Sequence, residues 1–189
     1  MAYYVSPAPG IVTGGVDKMP DNPMQPWYRT HTGPLEPWML GYFPSTLRYN
    51  SESQPTDVVT FRLWGVSEAI KNIIEKFEPE AIQFIPFKLM QEQSDKCLSY
   101  YTLWINRQID AVDLSRSNID GGTTVLEDGA IHQWWSKRIN TPLSIKRAAV
   151  KDAHLWRTKA YTFISSQLHD ELQKAKLGSG WLFEQQITI

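Results

Sequence analysis

The run Val58-Val59-Thr60-Phe61-Arg62-Leu63-Trp64 is β-branched and aromatic with a short alternation at its end, a composition that suits a pleated, half-buried surface and predicts a strand. Ser67 then offers an N-cap, and Ile70, Ile73, Ile74 and Phe77 recur at i, i+3, i+4 and i+7. That spacing puts them on one stripe of a helix. Pro79 closes the helix and Ala81 to Leu89 returns to extended chain, with Pro86 pointing to an edge strand or a bulge because it cannot donate to a ladder.

The far end of the chain repeats this order. Tyr161-Thr162-Phe163-Ile164 reads as a strand, Ser165 or Ser166 as a cap, and Leu168, Leu172 and Ala175 as an inward stripe. Gly178 and Gly180 stop that helix before Trp181-Leu182-Phe183 restarts a strand. Ser166 to Phe183 spans the same seventeen positions as Ser67 to Phe84. Two copies of one strand-helix-strand unit would explain the match, and coincidence between two common patterns would explain it equally well.

Between the units, Leu98 to Val112, with Tyr100, Tyr101, Leu103, Trp104 and Ile105, reads as a buried or half-buried strand, and Ile131 to Ile139, with Trp134-Trp135, as another. Turn chemistry separates them at Ser115 to Asn118, Asp120-Gly121-Gly122 and Glu127-Asp128-Gly129. Nine of the twelve prolines precede Val58, many beside aromatics, as in Pro26-Trp27-Tyr28, Glu36-Pro37-Trp38 and Tyr42-Phe43-Pro44. Proline biases this stretch away from helix while the rings supply apolar area that a free linker would not need. The expectation is one α+β domain, with a proline- and aromatic-rich wrapping arm over 1–56 and a body over 57–189. The body should hold mixed, mostly antiparallel sheets and two main helices.

A chain of 189 residues can bury roughly 70% of its unfolded surface. Hydrophobic and charged shares of 42% and 21% are ordinary for a globular protein. The net charge of -1 gives no electrostatic reason to expect nucleic acid or anionic lipid as a partner. Cys97 is the only cysteine, which rules out an internal disulfide and fits a reducing compartment. Met1 to Gly10 lacks the basic start and apolar run of a secretory signal, and no apolar run is long enough to cross a bilayer. A cytoplasmic location is expected.

The search for chemistry finds little. His31, His132, His154 and His169 are scattered without metal-ligand spacing, and no nucleophile elbow, phosphate loop or dinucleotide fingerprint occurs, so neither metal nor cofactor is expected. Gly178-Ser179-Gly180 follows a helix instead of opening one, the role of a stop. Asp110 and Asp113 could divide acid and base work as a carboxylate pair, but aspartates ahead of Ser115-Arg116-Ser117-Asn118 more often accept hydrogen bonds in a turn. Lys96 beside Cys97 could modestly lower a thiol pKa. The eight tryptophans stand out, because interface anchors are enriched in Trp, Tyr and Arg. Trp27 and Trp38 in the arm, and Trp134 and Trp135 beside the acidic loop of Asp120, Glu127 and Asp128, are the candidate partner contacts.

The succession Ser67, Phe84, Pro86, Tyr100-Tyr101, Asp110, Asp113 and Ser117, continued by Leu155-Trp156-Arg157, Ile164-Ser165, Leu168, Leu172, Leu177, Gly180 and Phe183, resembles immunity family eleven of bacterial polymorphic-toxin systems. The resemblance implies a protein that binds and neutralises a cognate toxin of an interbacterial competition system, such as type VI secretion, in the cytoplasm of the producer. It implies a partner-binding surface and no catalysis. The proline-rich arm departs from the family pattern. Two rival expectations are an adaptor or secretion chaperone for an effector, and a small enzyme using Asp110 and Asp113 with His132 or His154.

Overall fold

The computed structural model describes residues 1–8, 31, 33–49, 54–61, 63–92, 94–125, 131–138, 141–158 and 161–189. The strands run β1 (Ala2–Pro7), β2 (Thr46–Tyr49), β3 (Val58–Thr60), β4 (Trp64–Ser67), β5 (Ile82–Gln91), β6 (Cys97–Ile105), β7 (Ile119–Val125), β8 (Ile131–Lys137), β9 (Ser144–Ile145), β10 (Leu155–Arg157), β11 (Thr162–Ser165) and β12 (Trp181–Thr188). Helix α1 (Glu68–Phe77) follows β4, helix α2 (Ser166–Lys174) follows β11, and single 3-10 turns occupy Pro37–Tyr42 and Arg147–Val150. The α+β expectation with mostly antiparallel, mixed sheets and two main helices holds.

The two-copy reading extends well beyond the segment that suggested it. One sheet has the order β2-β5-β6-β4-β3 and the other β9-β12-β1-β11-β10. Their pairings agree throughout: β3 with β4 and β10 with β11 are antiparallel, and β2 with β5 and β9 with β12 are parallel. Each middle strand runs antiparallel to both of its neighbours. In the first sheet that middle strand is β6, which follows β5 directly. In the second it is β1, the opening strand of the chain, so the first residues of the stretch expected as an arm form the centre of a sheet.

Matched side chains support the correspondence. Ser67 caps α1 by accepting from Ile70 N, and Ser165, not Ser166, caps α2 by accepting from Leu168 N. Lys71 Nζ lies 5.3 Å from the Tyr101 ring and 5.5 Å from Phe84. At the corresponding place His169 stacks on Tyr3 at 3.9 Å and meets Phe183 edge-on at 5.1 Å. With Ser165 as the cap, the interval from cap to Phe183 is one residue longer than that from Ser67 to Phe84. It turns through positive φ at Lys176, Gly178 and Gly180. Gly180 is required there, since a Cβ would stand 2.3 Å from Val58 O.

Several boundaries differ from the sequence expectation. Val58 to Trp64 is not one strand: Phe61 N donates to Leu63 O at 3.0 Å and the chain reverses, pairing Val58 with Val66. The reversal lacks the Gly or Pro punctuation that announces a turn. The strand expected over Leu98 to Val112 ends at Ile105, beyond which Gln108 and Val112 make only isolated bridges. The strand expected over Ile131 to Ile139 ends at Lys137. Pro86 sits just before β2 begins to pair with β5. Lys88 N donates to Ser45 O on that side, so the nitrogen two residues earlier faces the same side, where no described strand needs a donor.

The central core draws on both halves. Ile70 and Ile74 of α1 and Leu168 and Leu172 of α2 are fully buried among Val66, Leu103, Ile164 and Trp181. Apolar positions at i and i+4 thus face the partner helix and both sheets. Two carboxylates tie the halves reciprocally. Glu78, just past α1 and 3% exposed, accepts from His154 N, from Leu155 N at 3.0 Å and from Arg107 Nη1 at 2.9 Å. Asp57, just before β3, accepts from Gly178 N and Ser179 N, each at 3.1 Å, past α2. Ser67→Ala and Ser165→Ala should each cost about 1 kcal/mol. Glu78→Ala should cost about 3 kcal/mol, because it orphans two buried amides as well as an ion pair. Urea unfolding measures all three, and comparable losses for Glu78→Ala and the caps would contradict the assignment of Glu78 as a buried tie.

Candidate partner-binding surface

Strands β7 and β8 form a separate two-stranded ribbon, in register from Ile119 opposite Lys137 to Val125 opposite Ile131. Alternation along β8 sends consecutive tryptophans to opposite faces. Trp135 turns inward, 5.2 Å from the Tyr161 ring and beside Ile119 in the core beneath the second sheet. Trp134 turns outward with 45% of its surface exposed. Its indole lies across Gly122, where a Cβ would come within 3.1 Å of the ring, so the paired glycines Gly121 and Gly122 leave room for a flat aromatic on bare backbone. The ribbon is fastened at its base. Lys137 N donates to the Tyr161 hydroxyl at 2.6 Å, and Lys137 Nζ pairs with Glu184 at 2.6 Å and lies 5.8 Å over Tyr4.

The structure sorts the other candidate contacts. Trp38 is 55% exposed, its indole N–H donating to Glu36 at 2.7 Å and its ring meeting Tyr42 edge-on. Met39, next to it, is buried with Leu35, Phe43 and Trp104, while Leu40 is exposed, so this turn presents one apolar face outward and anchors another. Asp120 is paired with Arg138 at 2.8 Å. Both side chains are about half exposed, and such a pair contributes little, so Asp120 remains able to exchange Arg138 for a partner's charge. Trp27, Glu127 and Asp128 lie outside the described residues, as does the side chain of His132.

Of the groups considered for catalysis, Asp113 and His154 have separate neighbours. Asp113 caps a turn, accepting from Ser115 N at 3.0 Å and from the Ser115 hydroxyl at 2.6 Å. Ser117 donates to Asp113 O and accepts from Ser144 N, fixing that turn to β9. The Ser115 hydroxyl holds the Asp113 carboxyl below the usual carboxylate range. Asp110 is exposed. His154 Nδ1 meets the Ser165 hydroxyl at 2.9 Å and its ring rests on Phe77, and Cys97 is exposed on β6 opposite Met90. Among the described residues no three of His, Cys, Asp and Glu gather as metal ligands would. Among the described residues, Asp110, Asp113, His154 and Cys97 share no hydrogen bond with one another.

Sequence reasoning passed over one polar feature. Arg157, the last residue of β10, places its guanidinium 5.3 Å over the Trp104 ring and donates through Nη2 to His31 O. With Thr60, Trp64, Trp104 and Thr162 it lines a pocket of about 200 Å³. The signal available in advance was an arginine closing the apolar Leu155-Trp156-Arg157, but its neighbours are far apart in the chain.

A protein-family comparison matches residues 7–188 to the immunity protein family Imm11, and with nearly the whole chain covered, the protein belongs to that family. Among curated proteins no match was found. In carboxyl NMR, Asp113 should titrate below ordinary aspartates, and Ser115→Ala should bring its titration back up. The stability Asp113 lends is present above the pKa of the unfolded carboxylate and lost as pH falls through the folded one. An unchanged titration in Ser115→Ala would remove the hydroxyl as the cause.

Proposed function

We propose that this protein neutralises a cognate toxin of an interbacterial competition system by holding it in a tight, inactive complex in the cytoplasm of the producing cell. Membership of the immunity family supports the role, and the exposed Trp134 on a firmly based ribbon is the observation that carries the surface. An indole already laid flat on Gly122 loses little side-chain freedom on docking and buries much area, which is what an interface anchor needs. Trp38 and Leu40 on the Pro37–Tyr42 turn are the second exposed apolar group. The partner is a protein, since a net charge of -1 offers a polyanion no attraction. Inhibition then rests on shape and desolvated aromatics, with Asp120 at the rim. A secreted-effector route such as type VI secretion is the system to examine first.

The toxin encoded beside this gene, lethal alone and harmless on co-expression with this chain, would establish the reading. Lethality undiminished by co-expression would refute it. Trp134→Ala should weaken the complex by about 2 kcal/mol or more, the range of an interface anchor, while leaving the melting temperature of the free protein unchanged. Asp120→Asn should change affinity by less than about 1 kcal/mol. Calorimetric titration of each variant with an inactive toxin provides both numbers, and full affinity in Trp134→Ala would move the docking surface away from the ribbon.

A further inference from the structure

The Arg157 pocket is built from corresponding positions of the two halves. The register that aligns Asp57 with His154 and Ser67 with Ser165 also aligns Thr60 with Arg157 and Trp64 with Thr162. The pocket therefore sits where the β3–β4 and β10–β11 hairpins approach each other across the approximate two-fold. One side of that symmetric setting carries a hydroxyl and the other a guanidinium.

The guanidinium there has no counter-charge among the described residues. No carboxylate among the described residues lies within ion-pair distance of Arg157, its Nε is buried without a hydrogen-bond partner, and its one side-chain acceptor is the neutral carbonyl of His31. Burial pushes the Arg157 pKa down, yet a guanidinium stays charged in a protein. A half-desolvated cation without a paired anion is costly. Thr60 and Thr162, which line the same space, make no hydrogen bond through their hydroxyls among the described residues.

We propose that this pocket is a binding site for a single carboxylate. A planar fork of N–H donors matches a carboxylate bidentately, and the two threonine hydroxyls can donate to the same oxygens. The pocket volume of about 200 Å³ is enough for an acidic side chain or a small carboxylic acid. Among the described residues Arg157 is the only cation lining the pocket, and Leu63, Leu103 and Ile105 wall it, which favours a monoanion with an aliphatic stem over a phosphate dianion. If the toxin reading holds, the natural occupant is an Asp or Glu of the toxin; otherwise it is a small carboxylate.

The first measurement needs no toxin. The isotopically labelled full chain is titrated with acetate and with glutarate, and with chloride and phosphate at matched ionic strength, while the Trp104 indole N–H and the Thr162 amide are followed by NMR. Saturable shifts with the carboxylates alone, abolished in Arg157→Gln and weakened severalfold in Thr60→Val/Thr162→Val, are expected. The double threonine variant leaves the bond from Arg157 to His31 in place, so it separates loss of the site from loss of fold, which a thermal melt of each variant also checks. Non-saturating shifts, shifts unchanged in Arg157→Gln, or phosphate binding more tightly than acetate would mean an adventitious ion only and would overturn the proposal. A second arm identifies the source. Arg157→Gln weakening the toxin complex at least tenfold assigns the carboxylate to the toxin, and a complex unweakened by Arg157→Gln, where the wild-type chain binds the carboxylates and the variant does not, assigns it to a small molecule. Failure of the wild-type chain to bind the toxin counts against the functional reading alone.

Discussion

The buried carboxylate of Glu78 is the tie on which the arrangement of the two halves depends. It satisfies the amides that open β10 from a position just past α1, in the other half of the molecule, and those amides would otherwise be orphaned in the core. Asp57 makes the reverse connection. Because each half supplies the polar group the other lacks, neither sheet is complete in hydrogen bonding without its counterpart. The shared core of α1 and α2 is held in one registration by directional bonds as well as by apolar burial.

Exposed aromatics lie outside the repeated part. The two sheets and their helices account for the central core, whereas Trp134 sits on the ribbon between the repeats and Trp38 on the turn ahead of β2. Such a division lets a rigid body present exposed aromatics on elements that are themselves anchored to it, β8 through Trp135 and the turn through Met39. It is consistent with membership of an immunity family. The recognisable part of the sequence is chiefly scaffold, with Arg157 an exception that belongs to the scaffold pattern and yet has no ion pair among the described residues.

What could be read from the sequence followed range. Caps, helical stripes and the strands flanking them depend on neighbours within a few residues, so both strand-helix-strand units were legible, including the ambiguity between Ser165 and Ser166 that only geometry resolves. The insertion of β1 between β11 and β12 depends on residues more than 150 positions apart, and Ala2 to Pro7 carries no local mark of it. The hairpin within Val58 to Ser67 was hidden because its strands share the composition of its turn. For the sites, the outward and inward faces of Trp134 and Trp135 follow from strand alternation once the ribbon is known. The Arg157 pocket gathers residues 60, 104, 157 and 162 and could not be found by reading along the chain.

The placement of β1 also orders events during synthesis. β1 is made more than 150 residues before its partners β11 and β12, so the first sheet can close on the nascent chain while the second cannot. Such long-range pairing is slow to form. A chain cut short before β11 would leave β1 without either of its partners, an open strand of the kind that pairs with other chains.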